Sequence, residues 1–426
     1  MRINPILVSL QIFVSLTLFA GTAIAQPDQL ASLVEEALEK NPELTSAQAS
    51  WDVLRERVLQ AGNFDDPMVM FRVQNALVND PVAFDQDPMT AKVIGISQQL
   101  PFPGKRALAR LVATHGAEVG RWQYAERRLE LARMVKETYY RIYYVNQATA
   151  IVERTIVVLD DLVRFTESLY GVGSALQQDV FKAQVERSKM EDMRIALQQQ
   201  RRSLTAALNS LLYRPAEMTL PDIQDIEMVP LTITFEELTV LTEKQRPLLK
   251  SLAAQVEKGR AGQALAQKEY YPDFNVALEY MQRDPTMNEA GDDMYTLGFS
   301  FNLPVQRRQR QARVAEAIAE TSMAAAELNA LRNAIGQNIS DALARLERSQ
   351  RTAELYRTVI IPQATGALDA AMAAYRVGKA DFMNVLDSQM ALFDYERQYH
   401  EAVAEHQMQL AQLESVVGET LPPAKR

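Results

Sequence analysis

Tyr170-Gly-Val-Gly-Ser-Ala-Leu-Gln-Gln-Asp-Val180 returns 205 residues later as Tyr375-Arg-Val-Gly-Lys-Ala-Asp-Phe-Met-Asn-Val385. Tyr, Val, Gly, Ala and Val keep their places between the two stretches, and beyond them Gln184 and Glu191 fall on Gln389 and Glu396. Each stretch is a glycine turn between two helix-patterned segments, so each reads as the bend of a helical hairpin. Upstream, the same offset pairs Pro42 with Pro247 and Pro67 with Pro272. An offset of 203 sets Gly95, Ser97, Leu100, Pro101 and Arg110 on Gly298, Ser300, Leu303, Pro304 and Arg313. Turn, strand and helix residues recurring in one order mark a chain written twice, with repeats expected at 26–230 and 231–426.

The arms of the hairpins are unusually long. No proline occurs from Lys105 to Leu169, and Leu108, Val112, His115, Val119 and Trp122 alternate steps of four and three. Ile142, Val145, Thr149, Val152, Ile156, Leu159 and Val163 repeat that rhythm. This heptad seam predicts a helix supercoiled against a neighbour, and at 1.5 Å per residue a helix over 105–169 spans about 97 Å. A returning helix is expected over 175–212. In the second repeat the arms are expected at 306–361, with a kink at Pro362, and at 380–417.

Each repeat opens with a helical stretch broken by proline (28–62 and 234–270), followed by two strands. In the second repeat, Phe274, Val276, Leu278 and Tyr280 alternate with Asn275, Ala277 and Glu279. Tyr295, Leu297, Phe299, Phe301 and Leu303 alternate with Thr296, Gly298, Ser300 and Asn302. Strands are therefore expected at 274–283 and 295–303, with noisier counterparts at 68–77 and 91–100. About ten tilted residues rise roughly 23 Å, the height of an outer-membrane barrel's apolar band. The same alternation fits a sheet half-buried on a soluble core. Residues 213–230, with Pro215, Pro221 and Pro230, read as a linker between similar halves.

The N-terminus reads as a secretory signal over 1–25: Arg2, an apolar run from Ile6 to Ala20, and Ala23-Ile24-Ala25 as the cleavage site. The chain has no Cys, which removes disulfides, thiolate metal sites and a lipid-anchored N-terminus. Beyond the signal no apolar run has the length of a membrane helix, so any spanning must use strands. A net charge of −9 argues against nucleic acid as a partner. Four strands leave two open edges, which lipid does not tolerate, whereas three copies would supply twelve strands around a lumen.

The order of strand pair, long helix, Val-Gly turn and returning helix, twice over, resembles the TolC-like outer-membrane efflux proteins. That resemblance implies a mainly α chain with β-structure: a trimeric 12-stranded β-barrel joined to a periplasmic α-barrel, without catalysis or cofactor. It also implies as partners outer-membrane lipid, a periplasmic adaptor and an inner-membrane pump. The hairpin bends then become periplasmic tips, with Val172, Gly173, Ser174, Val377, Gly378 and Lys379 meeting the adaptor. Tyr375 matches a tip tyrosine that latches onto an aspartate matched by Asp179, and Asp387 matches a position that forms an acidic ring. Asn384 and Ala380 depart from the pattern, standing where a second acidic ring and an arginine latch would be. The implied activity is passive export of small molecules or metal ions. A protein-secretion duct and a soluble periplasmic coiled-coil scaffold are the alternatives.

Other signals are weak. Phe102-Pro-Gly-Lys-Arg106 lacks the glycine and hydroxyl residues of a P-loop and reads as a strand-to-helix corner, similar to corners of the heavy-metal efflux branch. His400 and His406 are six residues apart and share no helical face. No Ser/His/Asp or Cys/His constellation stands out.

Overall fold

A computed structural model describes residues 29–421 apart from 222, 224, 227, 229, 230 and 232. The expected signal, 1–25, and Pro230 of the linker lie outside the described residues. The chain is mainly helical with one small antiparallel sheet. In order it forms α1 (Gln29–Lys40), α2 (Pro42–Ala61), β1 (Met68–Gln74), β2 (Ala91–Leu100), α3 (Lys105–Gly171), α4 (Gln177–Leu211), α5 (Phe235–Gln245) and α6 (Pro247–Lys268). Then follow β3 (Phe274–Gln282), β4 (Met294–Phe301), α7 (Arg307–Leu355), a π-helical turn (Tyr356–Ile360), α8 (Ile361–Arg376) and α9 (Phe382–Val417).

Both early prolines start helices instead of only breaking them, because the first turn needs no donor there. Asn41 caps α2 by accepting from Glu43 N at 2.8 Å, and its amide donates to Leu211 O at 2.9 Å, tying α2 to the end of α4. At the start of α6, Leu248 N donates to Glu126 of α3 at 3.1 Å. Burial raises the Glu126 pKa, and Arg246 beside it at 3.5 Å opposes that shift.

The long helix α3 has 67 residues, about 100 Å of rise. Its lower half carries two buried rows. Ile142, Val145, Val152, Ile156 and Leu159 form one, while Ala148, Ile151, Thr155, Leu162 and Thr166 form the other. Two rows mean two neighbours: Ala183, Met190 and Leu197 of α4 and Phe382, Val385, Leu386 and Phe393 of α9 share this cluster. The upper seam differs from the sequence pattern. Leu108, Val112, His115, Val119 and Trp122 are only half-buried, and the buried positions are Ala117 and Gly120. A Cβ on Gly120 would lie 2.6 Å from Leu54 Cδ1, so close approach of α2 sets the packing there. The cores are strung along the helices, with separate clusters around α1 and α3 and around α5, α7 and α9.

The kink expected at Pro362 is a π-helical turn just upstream, at Tyr356–Ile360, and the helix continues through it to Arg376. Proline lacks a donor and crowds the preceding turn, and widening that turn relieves both without ending the helix. Tyr356 anchors the wide turn, donating to Gln398 Oε1 at 2.5 Å and packing on Tyr395 with ring centroids 6.0 Å apart.

The sheet order is β1-β2-β3-β4, antiparallel throughout. Its register aligns Phe71, Ile94, Tyr280 and Tyr295 in one row and Val69, Ile96, Leu278 and Leu297 in the next. β2 alternates poorly in sequence because its out-of-pattern residues on this face sit toward the strand ends. Lys92 pairs with Asp284 at 2.9 Å at one end, and Gln98 donates to Asp65 O at 2.8 Å at the other.

Candidate functional site

Two places carry the functional reading: the sheet and the hairpin tips. The apolar face of the sheet is bare. Phe71 is 77% exposed, Tyr295 80% and Leu297 71%, and Leu278, Ile94, Ile96 and Phe299 are exposed with them. Among the described residues no helix covers this face, so it stands as a contiguous exposed apolar patch. The opposite face holds Gly95, Ser97, Ala277, Gly298 and Ser300, and across it Arg72 donates to Glu279 Oε2 at 2.8 Å. Sequence reading missed this pair. Its only signal was that both residues fall on the polar phase of their strands. Among the described residues no helix is long and apolar enough to cross a membrane.

At the other extreme, the two hairpin bends are built alike. Gly173 and Gly378 adopt φ of 76° and 72°, the left-handed conformation that glycine takes without strain. Ser174 N donates to Leu169 O at 2.8 Å, and Lys379 N to Ala374 O at 2.9 Å, closing each helix in the same way. Val172, Gly173, Ser174, Val377, Gly378 and Lys379 all lie at the surface, the two valines 74% and 67% exposed. The tips therefore present two unpaired apolar knobs per chain.

Tyr375 and Asp179 lie in one neighbourhood of the tip but are not hydrogen-bonded within the chain. The Tyr375 ring packs edge-on to Phe165 at 5.8 Å and against Phe382 at 5.7 Å. Its hydroxyl is buried and, among the described residues, meets no partner at hydrogen-bond geometry. Thr166, close enough to stabilise the phenolate, has its own hydroxyl donated to Leu162 O at 2.7 Å. Burial pushes the Tyr375 pKa up and the charges of Asp179 and Asp381 add to that, so the phenol keeps its proton as an unused donor. Asp179 is buried and turned to its own helix, accepting from Leu176 N at 3.4 Å.

Asp387 lies apart from these two, on the exposed side of α9, opposite the buried Val385, Leu386 and Gln389. It has no ion pair among the described residues. Asp381 and Asn384 precede it at steps of three on the same exposed side, and Asp394 follows seven residues on, near Arg397 only at 3.7 Å. Asp387 thus belongs to an acidic stripe along α9.

A polar knot higher up was also missed by sequence reading. Tyr143 of α3 and His400 Nδ1 of α9 are 3.0 Å apart, and Gln147 donates to Asp225 of the linker at 2.8 Å. Burial lowers the His400 pKa and raises that of Tyr143. Among the described residues no group of three or more His, Cys, Asp or Glu side chains could hold a metal ion.

Known proteins share this architecture. The chain is 22% identical over 380 residues to the cobalt-zinc-cadmium resistance protein CzcC of Cupriavidus metallidurans, covering 88% of this chain and 86% of that one. It is 21% identical over 426 residues to the outer membrane protein TolC of Vibrio cholerae, covering 96% and 95%. The crystal structure of VceC from Vibrio cholerae superposes with a TM-score of 0.75 at 18% identity, covering 92% of this chain and 96% of that one. The family model for outer membrane efflux proteins matches residues 33–212 and 238–419, nearly all of both repeats. With that match across both halves, the chain belongs to the outer membrane efflux protein family, the TolC family of channel proteins.

Proposed function

We propose that three copies form an outer-membrane duct that passively exports small molecules or metal ions. An inner-membrane pump delivers the cargo through a periplasmic adaptor. The observation that carries this reading is the bare apolar face of a sheet that also has two open edges. In lipid both must be covered, the face by acyl chains and the edges by further strands. Three four-stranded sheets make a 12-stranded barrel wide enough for a lumen, lined by the face that holds Arg72 and Glu279. The helices continue the tube into the periplasm, and their exposed seams are covered by neighbouring copies. The chain reaches the membrane through a cleaved signal over 1–25.

At the far end Val172, Gly173, Ser174, Val377, Gly378 and Lys379 engage the adaptor, and Asp387 faces the axis as a ring of three. Tyr375 and Asp179 form the latch of the closed tip, the unused phenol donor supporting that role. Ala380 leaves no arginine latch, and Asn384 removes one ring of charge, which favours a looser gate. The cobalt-zinc-cadmium resistance protein among the relatives supports metal ions as cargo. Cell fractionation tests the reading: the protein belongs in the outer membrane, released by detergent as a trimer. A monomer free in the periplasm without detergent would contradict it.

A further inference from the structure

The β2–β3 seam joins two strands that belong to different repeats, and it is held at its helix end by an ionic staple. Lys105 Nζ, at the strand-to-helix corner of the first repeat, lies 2.8 Å from Asp273 Oδ1 and 3.0 Å from Tyr271 O, at the strand entry of the second. Asp273 Oδ1 also accepts Phe102 N at 2.7 Å. The staple thus fixes a corner to the start of the next strand.

The same corner exists in the second repeat without a partner. The repeat offsets carry Lys105 onto Arg308 and Tyr271-Pro272-Asp273 onto Asp66-Pro67-Met68, so at the entry to β1 the carboxylate stands two residues earlier, where Tyr271 offers its carbonyl to Lys105. Arg308 is exposed at the foot of β4, and Asp66 is exposed at the foot of β1. Neither makes an ion pair among the described residues, whereas the neighbouring Arg310 donates to Glu269 O at 2.7 Å and Arg313 pairs with Glu269 at 2.5 Å. β1 and β4 are the two edge strands of the sheet. Opposite unspent charges therefore stand at the matching ends of the two open edges.

We propose that Arg308 of one copy pairs with Asp66 of the next, stapling β4 to the neighbour's β1 as Lys105 staples β2 to β3. This rests on the trimeric reading above and supplies the residues that close its seams. The pair orients assembly as well as strengthening it: with opposite charges on the two edges, β4 meets β1, while β1 against β1 or β4 against β4 would set like charges together.

Charge reversal on the full-length protein, extracted from the outer membrane in detergent, tests the pairing. Arg308→Glu alone and Asp66→Lys alone lower the trimer fraction on mild heating by at least about tenfold, since all three seams lose an attraction. The combined variant Arg308→Glu/Asp66→Lys restores it. As a second readout, Arg308→Cys/Asp66→Cys in this Cys-free chain gives covalent dimers and trimers with a short bis-maleimide, and either single Cys variant gives none. Single reversals without effect, or a combined variant no better than the singles, overturn the pairing. If Arg308→Glu instead loses only preference for vesicles rich in phosphatidylglycerol over phosphatidylcholine, the arginine serves a lipid headgroup and the pairing is wrong. Wild-type protein that runs as a monomer overturns the trimeric reading itself, and the pairing falls with it.

Discussion

Leu297 and Thr296 are adjacent in β4 and point to opposite faces of the sheet, so one substitution placed at each reads which face meets lipid. Leu297 lies mid-strand, in a row with Leu278, Ile96 and Val69, and is 71% exposed in the single chain. If that row faces the bilayer midplane, Leu297→Arg costs about 2–4 kcal/mol per chain, or about 6–12 kcal/mol over three copies, enough to abolish assembly. On a water-exposed surface the same change would fall within about 0.5 kcal/mol. Thr296 lies opposite Glu279 on the polar face, and Arg there meets water and a carboxylate. The assay is the yield of heat-resistant trimer from the outer membrane, with chemical unfolding in detergent as a second measure. Leu297→Arg should give almost no trimer. Thr296→Arg should assemble normally and conduct cations less well. Equal tolerance of the two substitutions would refute the assignment of faces.

Four further outcomes are expected. Tyr375→Phe removes a buried hydroxyl that has no hydrogen-bond partner among the described residues, so stability holds within about 0.5 kcal/mol while the open probability in bilayers rises. Asp387→Ala should reduce cation selectivity and weaken block by multivalent cations, and identical conductance would remove it from the pore. Gly→Ala has opposite signs along the helices. A Cβ on Gly259 would lie 2.6 Å from Thr321 Oγ1 and 3.1 Å from Thr321 Cα, so Gly259→Ala should destabilise, whereas Gly116→Ala meets nothing within 4 Å and should gain about 0.5–1 kcal/mol in thermal or denaturant unfolding. Burial holds the His400 pKa below its ordinary value of 6.5, so the unfolded chain takes up that proton first as pH falls. Stability is then full above pH 6.5 and declines below it, and His400→Gln should flatten the decline in melting temperature between neutral and mildly acidic pH.

The parts of this fold written in local periodicity could be read from sequence. Phe274, Val276, Leu278 and Tyr280 share a face in the register as they do in the alternation. The turns needed only Gly173 and Gly378, whose left-handed φ is rare for other residues. What depended on close approach was hidden. Gly120 and Ala117 carry the upper packing of α3, and small residues give no hydrophobic signal. Pro362 announced a disturbance but not its form, since the wide turn is set by Tyr356 reaching Gln398 and Tyr395 on another helix. Lys92 and Gln98 blurred β2 because strand ends tolerate what strand centres do not. The tip shows the same limit: the sequence sets Tyr375 and Asp179 beside the two turns, but not that the Tyr375 hydroxyl is buried with no hydrogen-bond partner among the described residues while Asp179 turns to Leu176 N.

Single-channel recording from the purified, detergent-extracted protein in a planar bilayer bears most directly on the central claim. Discrete, long-lived, cation-preferring conductance steps, with selectivity altered by Asp387→Ala, are the predicted result. Purified trimer that inserts into the bilayer yet leaves it electrically silent under all voltages, including in the Tyr375→Phe variant, would contradict it.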